Sequence, residues 1–510
     1  MSASSQIRVD VLIVGAGPAG LACAIHLQRL AQGHRRIVVL EKSAQIGGHL
    51  LSGAVIRPDS LAQLLTPNEL QRIPLGPPVT RDTFHALGPG GALRLPFVPP
   101  KMRMRGMRLA SFSQIGSALA DVASQLGVEI LTSQTADSLI WEQDRVAGVN
   151  TQGDQILAST TVLAEGAGGL LARELLERHP DLRGPNPPSH SLGLKEIIEI
   201  PSNPQAVGTV AHTFGFPLGL DIYGGGFLYH FDETHVALGL ALALDYRDPA
   251  ASAHELFRQW KRHPFVQKHI AGGETVAYGA KLVSEGGWYS LPQFSAPGAL
   301  LIGDAAGLVD TMELKGFHLA IESGIAAARA IRRGDGVISR ADIPSLEGLR
   351  RTRNYRAAFR WGLPAGIAAA GLNWLTGGML PAGRWTPREE RSSLRPGKRP
   401  AALRGEPDNG PLDLGVESAL FRAHLQIPNG AEHITLRDAD ICRDCLHRYH
   451  APCTRFCPAS VYAADPQAAT AIQIRAENCL QCRCCTLKCP YDNIVWRTPR
   501  HGAGPNYANM

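Results

Sequence analysis

The chain has 510 residues, 44% hydrophobic and 19% charged, with a net charge of +6. That length supports several domains around sizeable cores. The charge is too mild for a nucleic-acid partner, and no basic patch is interleaved with aromatics; an anionic surface or an acidic protein partner stays compatible.

Val9–Val14 (VDVLIV) has the composition of a buried strand and runs into Gly15-Ala16-Gly17-Pro18-Ala19-Gly20. A helix is expected over Leu21–Leu30 and a second strand over Ile37–Leu40, ending on Glu41. In such a βαβ unit Gly15 permits the tight turn, Gly17 lets the backbone approach a pyrophosphate, and Gly20 lets helix and strand pack closely. The helix N-terminus faces the phosphates, and Glu41 stands where an acid accepts ribose hydroxyls. Ser113–Leu126 reads as a helix and Val128–Leu131 as a strand. Gln143–Val149 and Gln155–Ala164 read as a meander that ends on Glu165-Gly166-Ala167-Gly168, a second backbone contact to the nucleotide.

Residues 190–290 alternate strands and turns and read as a separate sheet carrying Tyr223-Gly224-Gly225-Gly226. A third strand-to-turn segment, 297–307, contains Gly303 and Asp304, whose carboxylate can accept hydrogen bonds from a ribityl chain. A helix follows over Gly316–Ile331. Three nucleotide contacts spread over the chain imply interleaved domains. Trp361–Leu380 carries no charge and is flanked by Arg350, Arg351, Arg353, Arg356, Arg360 and Arg384. Its length suits a bilayer span, but Pro364, Asn373 and its glycines favour a segment lying in the membrane interface; a buried core helix is the third reading. Leu95–Met107 is a second candidate surface contact. Thr386–Leu412 reads as a linker.

Nine of the ten cysteines fall in the tail. This distribution disfavours disulfides, and the polar N-terminus lacks the pattern of a signal peptide, so a reducing cytoplasmic compartment is expected. The runs are Cys442-x2-Cys445-x7-Cys453-x3-Cys457-Pro458 and Cys479-x2-Cys482-x2-Cys485-x3-Cys489-Pro490, with Cys484 inside the second. The second run has the bacterial ferredoxin spacing, in which the cysteine before proline serves the other cluster. A nucleotide motif of the flavin type beside these thiols points to electron transfer, with flavin joining one- and two-electron steps. Tyr223, His212 and His230 are candidate proton relays.

The chain resembles the electron transfer flavoprotein–ubiquinone oxidoreductase family over nearly its whole length. GAGPAGL at 15–21, LSGAVI at 51–56, GLKEIIEI at 193–200, YGGGFLYHF at 223–231, EGGW at 285–288 and RFCPASVY at 455–462 carry the resemblance. It is also related to the flavoprotein and ferredoxin-like pair of nitrogen fixation and carnitine metabolism, here fused. The resemblance implies a membrane-associated electron-transferring-flavoprotein dehydrogenase (ubiquinone reductase). It would be monotopic and monomeric, on the cytoplasmic face of the inner membrane. Its partners would be electron transfer flavoprotein and ubiquinone. The implied cofactors are FAD and one 4Fe–4S cluster on Cys457, Cys479, Cys482 and Cys485, with Tyr462 tuning the cluster. The quinone head group is expected beside Tyr223, Gly224 and Gly225.

The implied fold is α/β plus α+β. A Rossmann-like FAD-binding domain (1–85, 105–190, 290–345) is interleaved with a β-sheet quinone and membrane-associated domain (86–104, 191–289, 346–385). A linker (386–430) leads to a ferredoxin-like iron–sulfur domain (431–510). Two departures stand out. Cys484 replaces the threonine usual in the family, a weaker donor to the cluster. Cys442, Cys445, Cys453 and Cys489 usually have no counterparts; they suit a second 4Fe–4S or 3Fe–4S cluster, a zinc site or a vestige. The competing class is a ferredoxin-coupled, FAD-dependent reductase of prenyl double bonds, of the geranylgeranyl reductase type, which shares the 303–307 segment.

Overall fold

The apolar run before the first glycine motif forms the strand Gln6–Val14, in which Leu12 and Ile13 are fully buried. It lies inside an eight-stranded sheet with the main order Ser295–Ala296, Ala299–Leu301, Gln155–Leu163, Gln6–Val14, Ile37–Leu40 and Glu129–Leu131. From Ala299–Leu301 onward the neighbours are parallel, and Ala299–Leu301 and Ile37–Leu40 are buried throughout, as strands covered on both faces are. The computed structural model describes residues 6–53, 55–397, 408–426, 433–467, 470–507 and 510. Ala54 of the LSGAVI stretch, and 398–407 and 427–430 of the expected linker, lie outside these.

The helices Pro18–Ala31 and Phe317–Arg333 pack tightly on each other. Gly324 makes this approach feasible, because a Cβ there would stand 2.4 Å from the Ala19 carbonyl oxygen. The expected strand Gln143–Val149 is in fact half of a hairpin, Ser138–Glu142 with Arg145–Asn150. Its turn falls on Gln143, at φ 55°.

The second sheet has seven strands, ordered Glu274–Ser284, His190–Glu199, His235–Ala243, Gly224–His230, Thr209–Gly215, Arg81–Leu87 and Ala92–Arg94. The boundary expected after residue 85 falls inside Arg81–Leu87, which pairs in parallel with Thr209–Gly215. Helix Ala253–Arg262 packs on this sheet, with the Trp260 ring filling the space that the missing side chain of Gly226 leaves.

The cysteine domain is built on two antiparallel ladders, Ile434–Leu436 with Ile494–Trp496 and Tyr462–Ala464 with Ile472–Ile474. It shares one apolar core with the second sheet. Lys488 is fully buried and donates to the carbonyls of Leu244 (2.5 Å), Tyr246 (2.7 Å) and Glu390 (3.1 Å). Tyr507, also buried, donates its backbone N–H to Gly48 and its hydroxyl to the Ala280 carbonyl. The described parts of the expected linker are docked as well. Leu394 joins the shared core, Glu390 bonds to buried His190, and Asp413 pairs with Arg258 and Arg262.

Candidate functional site

Both sheets face one cavity of about 750 Å³, a size typical of cofactor and ligand sites. Its wall includes Gly15, Gly17, Glu41, Glu165, Gly166 and Asp304, and also Tyr223, Gly224 and Gly225. The glycines serve different ends. A Cβ on Gly15 (φ +108°) would meet the Ala164 oxygen at 2.4 Å, and one on Gly20 the Gly15 oxygen at 2.1 Å. A Cβ on Gly17 would meet nothing closer than 3.8 Å, so packing within the chain does not explain this glycine. The open space faces the N-terminus of helix Pro18–Ala31, where a pyrophosphate fits. Gly20 and Gly303 are packing positions outside the cavity wall.

Glu41 accepts from the backbone N–H groups of Ala16 (3.0 Å) and Ser43 (2.9 Å) and so holds the glycine loop in shape. The side chain of Glu165 has a structural task beside the backbone contact expected there. Its carboxylate accepts from the N–H groups of Leu170, Leu171 and Ala172 and caps helix Leu170–Arg178. Burial raises the Asp304 carboxyl to about 6, opposed by Lys281.

Five lysines line the wall, Lys101 among them; Lys195 lies in the GLKEIIEI stretch, but the sequence assigns none of them a contact there. Lys195 donates to the Ser52 carbonyl, Lys281 to the His49 carbonyl and Lys42 to Gln481. Lys315 lies 3.6 Å from the Met104 sulfur. Burial lowers Lys195 to about 7 and Lys281 and Lys315 to about 8. Both ring nitrogens of buried His49 and the hydroxyl of Tyr229 line the cavity without a hydrogen-bond partner. Orphaned buried polar atoms are costly, and these fit a polar group such as a flavin dinucleotide.

Tyr223 packs on Phe359 at 4.3 Å between ring centroids, with the Arg356 guanidinium 4.7 Å from its own ring centre. Arg356 pairs with buried Asp245 (2.9 Å) and Glu285 (3.6 Å). Breaking such buried pairs costs about 3–5 kcal/mol, so the Arg356–Tyr223 contact is firmly placed. Burial holds the Tyr223 phenol protonated, well above its ordinary range. The glycine identities of Gly224 and Gly225 follow from packing, since added Cβ atoms would reach the oxygens of Ala241 (2.2 Å) and Thr213 (2.3 Å). His212 lines the cavity and is driven neutral by burial, to about 3. His230 is absent from that wall and bonds to His269 at 3.1 Å, so it does not serve as a relay there.

The helix Leu363–Leu375 also lines the cavity, through Leu363, Ile367, Ala370, Trp374 and Leu375, as does Phe97. Leu375 is 76% exposed and Met379 72%, and Trp361, Trp374 and Leu220 are exposed beside them. No helix among the described residues is long and apolar enough to cross a membrane.

Arg483 and Thr498 bring the cysteine domain into the same wall. Arg483 donates to the Gly168 carbonyl and lies 4.5 Å from the Trp496 ring centre. Burial raises the thiols of Cys457, Cys479, Cys482 and Cys485, and neighbouring cysteines of the group raise Cys457, Cys482 and Cys485 further. Two buried donors, the Tyr462 hydroxyl and the Trp496 indole N–H, have no oxygen or nitrogen partner. They are directed at Cys485 and Cys479 respectively. The Gln481 N–H also donates to the Cys479 sulfur, at 3.3 Å. Donors converging on sulfur suit thiolates that ligate a cluster. Cys484 instead directs its S–H toward the Phe456 carbonyl, at 3.8 Å.

Comparison with known proteins agrees with this anatomy. Residues 190–283 match the family described as ETF-QO, ubiquinone-binding, and residues 416–508 match electron transfer flavoprotein-ubiquinone oxidoreductase, 4Fe-4S. Residues 13–74 match an NAD(P)-binding Rossmann-like domain. The chain is similar to the mitochondrial electron transfer flavoprotein-ubiquinone oxidoreductase of Homo sapiens, 34% identical over 99% of this chain and 89% of that protein. The Arabidopsis thaliana enzyme of the same name is 33% identical over 99% of this chain and 85% of that protein. Among solved structures, a geranylgeranyl bacteriochlorophyll reductase-like protein from Thermoplasma acidophilum has a TM-score of 0.52 at 19% identity, covering 73% of this chain and 87% of that one. This last likeness shows a shared fold alone. On its near-complete match to these relatives, the chain belongs to the electron transfer flavoprotein–ubiquinone oxidoreductase family.

Proposed function

We propose that the chain is an electron-transferring-flavoprotein dehydrogenase, passing electrons from reduced electron transfer flavoprotein through an iron–sulfur cluster and FAD to ubiquinone. One observation carries the reading. A single cavity joins the nucleotide loops to an exposed apolar mouth, and the Cys482–Arg483 loop adjoins its wall. Flavin, when bound, accepts electrons singly and releases them in pairs.

The chain's own residues bind, orient and exclude water. Gly15, Gly17 and Glu41 shape the pyrophosphate and ribose cradle. The backbone of Glu165-Gly166 and the Asp304 carboxyl line the far side. Cys457, Cys479, Cys482 and Cys485 would hold the cluster, with the Tyr462 hydroxyl directed at Cys485. Tyr223, Gly224 and Gly225 form the quinone pocket, with Arg356 fixing the Tyr223 ring. His212 is held neutral by burial, so it carries no imidazolium proton onto this route. The quinone sheet and the helix Leu363–Leu375 make up the domain that meets the lipid. That helix is roughly 20 Å long, short of the ~30 Å hydrocarbon thickness, and its exposed face suits a monomer lying in the interface of the inner membrane, on the cytoplasmic side.

The test is anaerobic turnover: purified protein, reduced electron transfer flavoprotein and a short-chain ubiquinone, following quinol. Turnover that requires both partners is expected. Flavin reduction without quinol formation would turn the reading toward a reductase with another acceptor, such as a prenyl double bond.

A further inference from the structure

We propose that Cys442, Cys445, Cys453 and Cys489 hold a second iron–sulfur cluster, distinct from the group at Cys457, Cys479, Cys482 and Cys485. All four border one small cavity in the C-terminal domain. Around them its wall is mostly apolar, with Leu436, Phe456, Ile472 and Ile494, and no charged side chain lines it. Such a cavity is a poor site for water.

A second, independent feature is Asn493, which is buried and fixed by hydrogen bonds with Asp438 at 2.6 and 2.9 Å. Its side-chain amide donates to the Cys442 sulfur at 3.2 Å, and its backbone N–H to the Cys489 sulfur at 3.4 Å. Neutral thiols are weak acceptors. Two donors locked onto two of these sulfurs match ligating thiolates, as Tyr462 and Trp496 match those of the first group.

The connectivity repeats the arrangement in which each cluster borrows a cysteine-proline pair from the other run. Cys457-Pro458, from the first run, completes the group of the second; Cys489-Pro490, from the second, completes the group of the first. Cys445, Cys489 and Cys442 all face Cys453. Among the described residues no three ligating side chains stand close enough to hold a single metal ion. The spread therefore fits a polynuclear cluster better than one tetrahedral zinc, whose sulfurs lie about 2.3 Å from the metal.

Tyr462 touches both groups: it lines the second cavity and faces Cys485 of the first. The second site borders Tyr491, whose hydroxyl donates to exposed Asp444. On the functional reading above, it carries one electron at a time. Reduced electron transfer flavoprotein would be oxidised as one cluster is reduced, and the electron would pass between the two clusters past Tyr462 with no bond made or broken.

The test counts iron and acid-labile sulfide per FAD in the full-length protein, purified anaerobically and reconstituted with ferrous iron and sulfide. About eight irons are expected, and about seven would place a three-iron centre at the same thiols. About four irons, with or without a bound zinc, would overturn the proposal. Low-temperature EPR of the dithionite-reduced protein should show two magnetically coupled clusters. Cys445→Ser or Cys489→Ser should leave one uncoupled signal; a coupled spectrum unchanged by both would also overturn it. The iron count of the unmodified protein decides the matter even where a variant does not fold, and it does not depend on which partner supplies or takes the electrons.

Discussion

The two ends of the electron route are built on opposite principles. The cysteine domain is defined by particular atoms: eight thiols in two groups, with Tyr462, Trp496 and Asn493 aimed at sulfur. The cavity mouth is defined by a surface. Trp361, Trp374, Leu375, Met379 and Leu220 are exposed together as one apolar surface. One end is sensitive to single atoms and the other to summed apolar area, so substitutions should act differently at each.

The largest effect is expected at the first thiol group. Cys482→Ser should abolish electron entry from reduced electron transfer flavoprotein, a loss of at least ~100-fold or about 2.7 kcal/mol of barrier. Stopped-flow reduction of the flavin would show it; an unchanged rate would break the contrast. The mouth should respond by degree. Leu375→Glu with Met379→Glu removes two of its most exposed apolar side chains and should cut flotation with anionic liposomes by about tenfold or more. Turnover with a short-chain quinone should survive. Equal loss of both would mean that the helix shapes the pocket rather than the membrane contact.

Finer chemistry sharpens the first end. Tyr462→Phe removes one O–H donor to Cys485. Such bonds favour the more negative, reduced cluster, so its potential should fall. A charge-assisted bond of about 1.5 kcal/mol corresponds to about 60 mV for one electron, within reach of an EPR-monitored titration.

The smallest effect concerns the sheet domain between the two ends. Burial keeps His212 and His254 neutral down to about 3, against 6.5 for a free histidine. Below 6.5 the unfolded chain binds more protons than the folded one, so stability is full above that value and is lost as pH falls toward 3. Each histidine should contribute about 1.4 kcal/mol of loss per pH unit. Guanidinium midpoints at pH 7.5 and 5.5 should reveal the loss, and His254→Gln should reduce the slope.

The same contrast explains what was legible in the sequence. Fixed spacing announces chemistry that needs fixed atoms, so the glycine motif and both cysteine runs could be read directly. The strand at Val9–Val14 and the helix after Gly17 stood out because burial on both faces leaves continuous apolar runs. Lys195 and Lys281 were silent, since a lysine at the wall of a cavity looks like any solvated lysine until both sheets are in place. Glu165 sits at the right place in the chain for a ligand contact, yet its carboxylate is spent on the cap of helix Leu170–Arg178. The hairpin turn at Gln143 was missed because a non-glycine residue in the left-handed region carries no compositional mark. Tyr462 was legible only by resemblance, and its orphaned hydroxyl gives that resemblance a physical reason.

Lys488 and Tyr507 clamp the cysteine domain to both sheets through buried backbone contacts. A carrier on a swinging tether must wait for diffusion to bring it within range, and its throughput slows as the solvent thickens. A carrier bolted in place has a constant gap to its acceptor. Electron passage inside this protein should therefore be indifferent to viscosity, and any slowing in glycerol would report on the encounter with the external partner alone.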